Sequence, residues 1–563
     1  MKSKRQSVNA PPNDALWYLP LGGAGEIGMN MNLYGTKGKW LIVDCGVMFG
    51  DENTPGIELI TPDISFIMER QEDLLGIVAT HGHEDHIGGI GYLWQQLRCP
   101  IYTTKFTGEL IRKKLAQNNC EHEAKVIEIP EGGTFSIGAF DCEYLPVNHS
   151  IPESQMLILR TEHGTVLHTG DWKIEDKPII GSRLEEEKLQ KLGKEGVLAV
   201  VGDSTNCIDA KHSGTERLVE KTFEELFPKI NKRIIVTCFA SNIARIKLVI
   251  KAAKAVNRDV TLVGRSLWKN AEAAHASGYL PEFNNLLTEH EAMLTPRNKL
   301  VIISTGCQGE VRSALSRIAI EDHPEIDLNK GDTVIFSSRD IPGNEKNISR
   351  LQNNLIAKGL RVITADEEAV HVSGHCGRDE IELLYKLVKP KVSLPVHGEM
   401  RHQIEHAKLA EKHGVEETII PKNGQIIRLG PGIREIVTTV QSGKLGLDGR
   451  ILRPLDAEIL KARKKMSMNG AAVVTLVMDR KGNIIEDPQV SIMGLEQLSG
   501  DKRELKNVYE IVISEILDSV EEMPKSSRLD DAAVKHKAGL AVRRQLNTIY
   551  GKKPLTDVHI VRI

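Results

Sequence analysis

Four potential metal ligands lie within six positions of the segment THGHEDHIGG, residues 80–89. They are His81, His83, Asp85 and His86, in the pattern H-x-H-x-D-H. The apolar run that ends in THGH predicts a buried strand, with the ligands in the loop at its tip. Imidazole nitrogen and carboxylate oxygen suit zinc or manganese. The segment therefore predicts a metal centre with room for two adjacent cations.

Other short apolar runs also end in potential ligands. They are WLIVDCG (40–46), FDCEYLPVNHS (140–150), TVLHTGDW (165–172), VLAVVGDSTN (197–206) and KVSLPVHGE (391–399). We expect each run to be a strand that delivers a polar side chain at its tip. His149, Asp171 and His397 thereby join the 81–86 cluster as predicted ligands. Taken alone, His149 or His397 would more often be a structural histidine.

The chain has 563 residues, and because one hydrophobic core stops growing well below this size we expect two to four domains. From about residue 210, helical segments alternate with strands, which is typical of a parallel α/β unit. Strands that end in histidine resume near residue 370, so this unit is predicted to be inserted into another domain. The predicted order is a disordered leader (1–14), the first part of the outer domain (15–208), the inserted domain (209–368), the second part of the outer domain (369–450), a linker (451–465) and a C-terminal α/β domain (466–563).

Composition fits a soluble globular protein, with 40% hydrophobic and 26% charged residues. The formal net charge of −3 means that nucleic acid would have to bind at local basic patches. The eight cysteines form no C-x-x-C pair, as is usual for reduced cytosolic thiols. No secretory signal or long apolar span is visible, so a cytoplasmic protein without a membrane partner is expected.

The ordered series of ligands resembles the metallo-β-lactamase superfamily: H-x-H-x-D-H, then a lone His, then Gly-Asp, then Pro-Val-His-Gly. The resemblance implies an α/β fold, an αββα sandwich. It also implies two divalent metal ions, one held by His81, His83 and His149, the other by Asp85, His86 and His397, with Asp171 bridging. Zinc is the expected metal, with manganese or magnesium as alternatives. Asp44 is expected to orient a ligating histidine, and a turn at the strand end is the alternative for it.

The inserted domain resembles the β-CASP group of nucleic-acid-processing enzymes in its position and size. Within that group, LGGAGEIGMN, HSIPES, HTGDWK, STGCQGE, VIFSSRDIPGNE and HVSGHCGRDE resemble, in order, segments of the bacterial ribonuclease J family. The resemblance covers about residues 17 to 450, and a small C-terminal α/β domain is of the expected kind. Asp203, His375 and His397 match the three additional motifs of the group. A histidine at the last of these favours RNA over DNA as the substrate.

The segment HVSGH, residues 371–375, is not needed to complete the ligand set. It offers a hydroxyl, imidazole groups and backbone N–H groups beside a glycine, which are the parts of a phosphate cradle. The resemblance implies that two segments bind the substrate nucleotide. They are Ala240, Ser241 and Asn242, and His371, Val372, Ser373, Gly374 and His375. For FASN on its own, a helix N-cap is the preferred alternative.

The expected activity, by resemblance, is hydrolysis of RNA in RNA maturation and decay. It combines 5′-to-3′ exonuclease action, with a preference for a 5′ monophosphate, and endonuclease action. Water activated between two metals attacks the phosphodiester, while His375, polarised by Asp203, stabilises the phosphate or protonates the departing 3′ oxygen. The alternatives are a β-CASP DNA nuclease, a metallo-β-lactamase-fold hydrolase of a small substrate, and an RNA-binding scaffold with a degenerate site.

The partners implied by the resemblance are single-stranded RNA, further copies of the chain in a homodimer or homotetramer, and an RNA-degradation complex. The segment VYEIVISEILDSV has an apolar stripe at helical spacing. It predicts either self-association through the C-terminal domain or packing on that domain's own strands. Asp448, in GLDGR, is either a ligand of a peripheral cation or a turn residue, and the turn is preferred.

Overall fold

The computed structural model describes residues 10–208, 211–495 and 502–563. The described residues form two compact units, one within the ranges 1–48 and 61–444 and the other within the ranges 49–60 and 445–563. Residues 1–9 of the predicted leader lie outside the described residues. Pro11 and Pro12 accept backbone hydrogen bonds from Gly38 and Lys37, so the chain is already held against a hairpin at residue 11, and the leader prediction to residue 14 is corrected.

Two sheets pack face to face in the larger unit. The first has eight strands, in the order Glu435–Thr439, Gln425–Gly430, Leu16–Gly22, Met31–Thr36, Lys39–Val43, Leu74–Val78, Ile101–Thr103 and Val126–Glu128. The second has seven, in the order Thr134–Ile137, Phe140–Pro146, Gln155–Thr161, Gly164–His168, Ala199–Asp203, Val392–Val396 and Glu417–Thr418. Tyr34 and Val78 from the first sheet share one buried cluster with Leu157 and Val201 from the second. This cluster is the core of the predicted sandwich.

Helices cover the outer faces of this sandwich. Leu192, Leu384 and Leu409, from three helices, pack with Ile158 and Val200 behind the second sheet. The helices of the outer domain are Ser65–Met68, Glu84–Ile87, Ile90–Leu97, Lys105–Gln117, Glu186–Glu195, Arg378–Val388 and Met400–Lys412. All the runs predicted to be strands ending in ligands are strands. A two-stranded parallel pairing of Ala24–Gly25 with Gly398–Glu399 lies beside His397.

The chain enters the inserted domain after strand Ala199–Asp203 and has returned to the outer domain before strand Val392–Val396. Ala199–Asp203 pairs in parallel with Val392–Val396, and Asp203 lies opposite Val396. The intervening chain forms a parallel five-stranded sheet in the order Asp259–Val263, Leu300–Ser304, Ile234–Thr237, Thr333–Phe336 and Arg361–Ile363. Its helices are Glu216–Leu226, Ile243–Ala255, Arg265–Ala276, Glu289–Leu294, Ala314–Ala319 and Glu345–Ala357. Because the insertion ends beside its starting point, it preserves the second sheet.

The smaller unit has a three-stranded sheet in the order Ile484–Met493, Ala471–Met478 and Leu555–Arg562, covered by helices Lys502–Glu521 and Asp531–Tyr550. Val512, Ile516 and Val520 of the apolar stripe are buried against this sheet, so the stripe packs on its own domain. Strand Ile451–Pro454 pairs antiparallel with residues 445–448 of the same unit. Further short strands are Met48–Phe49, Leu59–Pro62 and Lys444–Asp448. Asp448 pairs with Arg463 at 2.8 and 3.0 Å, and these bonds occupy its carboxylate.

The segment 451–465, predicted to be a linker, is mostly regular structure. It contains strand Ile451–Pro454 and the first eight of the twelve residues of helix Glu458–Asn469. The basic run KARKK, residues 461–465, lies in this helix, because lysine and arginine are good helix formers. Among the described residues, no helix is both long and apolar enough to cross a membrane.

Candidate metal centre

The predicted ligands converge at one edge of the sandwich, where several strands end. His81, His83, Asp85 and His86 follow strand Leu74–Val78, and His149, Asp171 and His397 follow three strands of the second sheet. Their ligand atoms form two groups, each with all atoms within 4.8 Å of one another: His81, His83, His149 and Asp171, and Asp85, His86, Asp171 and His397. Asp171 belongs to both groups. A third, overlapping group is Asp171, Asp203, His375 and His397.

Unpartnered atoms at this edge fit a bound cation. Nε2 of His81 and Oδ1 of Asp171 are buried and have no hydrogen-bond partner among the described residues. Nδ1 of His83 lies 2.9 Å from Nε2 of His149. Buried polar atoms are nearly always paired, and two imidazole nitrogens this close need a proton or a cation between them. The donor set of nitrogen and carboxylate oxygen therefore fits a divalent metal.

Asp44 orients two of these histidines. Its carboxylate accepts a hydrogen bond from Nδ1 of His86 at 2.7 Å, which directs Nε2 of that ring toward Asp171 at 3.1 Å. Thr80 donates its hydroxyl proton to Asp44 at 2.9 Å and therefore accepts from Nδ1 of His81 at 3.0 Å. Nε2 of His81 is thus left with its lone pair facing the centre. This is the orienting role expected for Asp44.

The other histidines of the two ligand groups take their outer hydrogen-bond partners from different parts of the chain. Nδ1 of His149 donates to the carbonyl oxygen of Gly374 at 2.5 Å, so its Nε2 carries the lone pair. Nε2 of His83 lies 3.0 Å from the hydroxyl of Ser241 in the inserted domain. The hydroxyl of Thr205 donates to Asp203 at 2.7 Å and accepts from Nδ1 of His397 at 2.7 Å.

His375 faces the same edge with a different partner. Its Nδ1 donates to Oδ2 of Asp203 at 2.9 Å and lies 3.8 Å from Asp171. The side chain is 23% exposed, so the ring is accessible at the mouth of the site. The sequence predicts that Asp203 polarises His375, and in the structure the two side chains form a direct hydrogen bond.

Two glycines allow the loops to approach. A Cβ on Gly46 would lie 1.7 Å from the carbonyl oxygen of Asp85, so this residue must be glycine for the ligand loop to pass beside the strand end. A Cβ on Gly374 would lie 2.7 Å from Oγ of Ser150 and 3.0 Å from the His149 ring. Asp44 and His397 adopt left-handed backbone conformations, with φ of 64° and 49°, and such residues concentrate at functional sites.

Burial and neighbouring charges divide the histidines into two classes. Burial lowers the pKa of His81, His83 and His149, to about 4 for His83, so these rings are neutral near pH 7 and can act as ligands. Burial also opposes protonation of His86 and His397, but nearby carboxylates, Asp171 first, outweigh it and raise each pKa. The pKa of Asp171 is lowered against the effect of burial, chiefly by His397 and His86. A cation would take the place of these protons.

His375 has a raised pKa. Burial acts in the opposite direction but is outweighed by the carboxylates of Asp203 and Asp171. The pKa of Asp203 is lowered, because His375 outweighs the effect of burial on the carboxylate. The pair therefore favours a protonated imidazole beside an ionised carboxylate.

The residues predicted to bind substrate differ in which of their polar groups are already hydrogen-bonded. Asn242 is the N-cap of helix Ile243–Ala255 and accepts from the Arg245 N–H at 2.9 Å, as the alternative interpretation expected. Ser373 accepts from Asn206 at 2.7 Å and from the His375 N–H at 3.1 Å. Val372, Gly374 and Ala240 are partly exposed. Nδ1 of His371 is buried without a hydrogen-bond partner among the described residues.

Two buried charged residues that the sequence did not single out hold the 370–377 loop. Arg245 is fully buried and donates to Glu216, Ser337 and the Val370 carbonyl oxygen. Glu380 accepts from the backbone N–H groups of Ile174, Ser213 and Gly377. Thr80 and Thr205 were also missed, although each stands within two residues of a predicted ligand or catalytic residue.

Four family models match the chain. They are "Metallo-beta-lactamase superfamily" over residues 25–208, "Ribonuclease J, beta-CASP domain" over 231–355, "Zn-dependent metallo-hydrolase RNA specificity domain" over 361–421 and "Ribonuclease J C-terminal domain" over 458–563. Together with the histidine and aspartate cluster, the metallo-hydrolase matches indicate a chain that binds divalent metal.

Curated relatives are similar over most of their length. Ribonuclease J of Sinorhizobium meliloti is 37% identical over 567 residues and covers 100% of both chains. Ribonuclease J of Mycolicibacterium smegmatis is 39% identical, over 82% of this chain and 83% of the relative, and that of Thermus thermophilus is 34% identical, over 92% and 91%. A crystal structure of a protein of unknown function from Enterococcus faecalis V583 shares the fold, with a TM-score of 0.52 at 14% identity over 74% of this chain and all of that one. The chain thus belongs to the ribonuclease J family, and it combines a metallo-β-lactamase domain with an inserted β-CASP domain and a C-terminal domain.

Proposed function

We propose that this chain is a metal-dependent ribonuclease that hydrolyses phosphodiester bonds of RNA. The observation that carries the proposal is the position of Asp171, whose carboxylate is shared by two groups of ligand atoms, each within 4.8 Å. The proposed ligands are His81, His83 and His149 for one cation and Asp85, His86 and His397 for the other. Zinc suits this nitrogen-rich set best, and manganese or magnesium are the alternatives.

Two bound cations would supply charge stabilisation at the phosphoryl oxygens and a water of lowered pKa. The chain's own residues prepare the site for this. Asp44, Thr80 and Thr205 hold the ligating rings with their lone pairs inward. Fixed tautomers and buried partners reduce the reorganisation needed during the reaction.

His375 is proposed to assist the departing 3′ oxygen. Its raised pKa, caused by the carboxylates of Asp203 and Asp171, and its hydrogen bond to Asp203 favour the protonated ring. In that state the ring can donate a proton to the leaving oxygen or a hydrogen bond to the phosphate. Asp203 holds the ring through Nδ1, so Nε2 is the atom that we propose carries the transferred proton.

The segments Ala240–Ser241–Asn242 and His371–Val372–Ser373–Gly374–His375 are proposed to hold the substrate nucleotide. Ser241 and Gly374 both contact metal-facing histidines, which supports a phosphate position next to the centre. A terminal phosphate held there would favour a 5′ monophosphate and stepwise removal from the 5′ end. A longer strand crossing the site would be cut internally, so we propose endonuclease action as well.

A 5′-end test separates these activities. RNA of one sequence, labelled internally and carrying a 5′ monophosphate, triphosphate or hydroxyl, is digested before and after chelation and with metal restored. We expect mononucleotides to appear first from the monophosphate substrate, and only with metal present. Equal rates for all three ends would remove the 5′ preference, and cleavage unaffected by chelation would remove the metal role.

We also propose that the chain acts in RNA maturation and decay as a homodimer or homotetramer, in association with an RNA-degradation complex. The supporting observation is its similarity to the ribonuclease J family along its whole length. Light scattering on the full chain tests the assembly: one chain is 62.4 kDa, and a solution mass equal to that value at micromolar concentration would overturn it.

A further inference from the structure

The five histidines of the proposed ligand set differ in the hydrogen-bond partner of the ring nitrogen that faces away from the cation. His81, His86 and His397 are held by Thr80, Asp44 and Thr205, which belong to strand ends of the outer domain. His83 and His149 are held by Ser241 and Gly374. Both of these lie in the segments proposed to bind the nucleotide. His83 and His149, the two histidines that contact these segments, belong to the same ligand group, with His81 and Asp171.

We infer that binding of a nucleotide phosphate strengthens the cation site formed by His81, His83 and His149, and leaves the site formed by Asp85, His86 and His397 unchanged. The inference rests on the proposed function for the place of the phosphate. It assigns Ser241 as the positioning residue that links the phosphate to one metal.

The serine hydroxyl has the hydrogen-bonding capacity for this link. When Nδ1 of His83 acts as a ligand, the neutral ring carries its proton on Nε2 and donates it to Oγ of Ser241, 3.0 Å away. The serine then has one proton of its own to donate to a phosphate oxygen. Hydrogen bonds in such a chain polarise one another, so a bound anion makes Oγ a better acceptor. A stronger outer hydrogen bond makes the imidazole a more basic ligand.

The Gly374 carbonyl oxygen acts on the second histidine of the same group. It accepts from Nδ1 of His149 at 2.5 Å, and a Cβ on Gly374 would lie 3.0 Å from the His149 ring, so the loop packs closely on this histidine. The loop that would close on a phosphate is therefore the loop that aligns this ring. At the second cation site, the outer hydrogen bonds of His86 and His397 go to Asp44 and Thr205, which lie outside both nucleotide-binding segments. His375 of the second segment meets this site by stacking on the His397 ring, with the ring centroids 5.5 Å apart, rather than through a hydrogen bond to a ligand ring. Coupling between the two ligands is reciprocal, so the metal must also strengthen phosphate binding.

The test measures two Co²⁺ dissociation constants by visible absorption in competition with a chelator, using the full chain. The probes are adenosine 5′-monophosphate and adenosine, which differ only in the phosphate. In S241A the outer hydrogen bond to His83 is lost, whereas S241T keeps a hydroxyl. T205V removes the equivalent partner of His397, and S349A is a matched serine control on the exposed side of helix Glu345–Ala357.

We expect the monophosphate to raise the affinity of one cation by about five-fold or more and adenosine to have no effect. S241A should lower the affinity for that cation about ten-fold without nucleotide and should abolish the effect of the monophosphate. S241T and S349A should retain the effect of the monophosphate. T205V should lower the affinity for the other cation and leave the effect of the monophosphate in place. The inference would be overturned if the monophosphate changed the affinity for both cations equally or for neither. It would also be overturned if S241A kept the full effect of the monophosphate.

The outcome is distinguishable from failure of the proposed function. If the chain degrades 5′-monophosphate RNA with metal but shows no phosphate effect on Co²⁺ affinity, the coupling is wrong and the ribonuclease proposal stands. If both cations bind and RNA remains intact, the ribonuclease proposal is wrong.

Discussion

Asp44 accepts a hydrogen bond from Nδ1 of His86 at 2.7 Å, and this bond leaves the other ring nitrogen facing the metal centre. Asp44 also accepts from the Thr80 hydroxyl, which in turn holds His81. One carboxylate therefore orients a ring in each of the two proposed ligand groups.

D44N should reduce the affinity for both cations by about 10–100-fold, because an amide cannot accept all of these hydrogen bonds. Chelator competition on the purified variant measures the change. D63N is the matched control, since Asp63 is also a buried carboxylate but its partners are Ser65 and Gln441. Wild-type metal affinity in D44N would contradict the orienting role.

H375A should lower the single-turnover cleavage rate by about 10²–10⁴-fold if the ring donates a proton in the reaction. D203N should produce a smaller loss in the same step, since it weakens the hydrogen bond that holds the ring. RNA affinity, measured by filter binding in the absence of turnover, should change much less. A variant H375A that cleaves at the wild-type rate but binds RNA poorly would show that His375 serves binding alone.

Arg245 should be a major contributor to stability. R245M leaves Glu216 buried without its partner, and we expect a loss of about 3–5 kcal/mol in the free energy of unfolding. Urea unfolding followed by circular dichroism measures it. The control K251M removes an exposed lysine that pairs with Glu220 and Glu224, and it should cost about 1 kcal/mol or less. Similar losses in both variants would contradict the assignment.

The free energy of unfolding should decrease as the pH falls, partly because His406 takes up a proton on unfolding. This ring is buried between Ser204 and Tyr385, and burial lowers its pKa from 6.5 to about 4. Its contribution is complete above pH 6.5 and is lost as the pH falls to about 4, because the unfolded chain binds the proton more readily; the full loss is about 3 kcal/mol. H406Q should lose correspondingly less stability over this range. Identical pH profiles for the two proteins would contradict the prediction.

The sequence predicts the ligands because they follow strand ends, and strand ends are visible as apolar runs. His149 and Asp171 are 22 positions apart yet share a ligand group, since neighbouring strands end at one edge. The inserted domain is equally visible, because helices replace the strands that end in histidine. These features depend on local patterns and on the order of motifs, which a single sequence contains.

Contacts between distant segments could not be predicted in the same way. Nothing local to Ser241 points to His83, 158 positions away, and the contact exists only because the inserted domain lies over the sandwich edge. Arg245 follows an ordinary helix start, and its burial depends on Glu216, Ser337 and Val370 meeting there. The segment 451–465 is predicted to be a linker, whereas the helix propensity of its lysines and arginines agrees with the observed helix Glu458–Asn469.

The most direct test of the central claim compares RNA and DNA strands of matched sequence, both with a 5′ monophosphate, using wild-type protein and D171N. The protein is stripped with a chelator and then supplied with Zn²⁺, Mn²⁺ or Mg²⁺, and products are resolved by length. We expect RNA cleavage that returns with a divalent cation in wild type, little or no DNA cleavage, and a loss of RNA cleavage in D171N at every metal concentration. Full RNA cleavage by D171N, or cleavage by stripped protein without added metal, would contradict it.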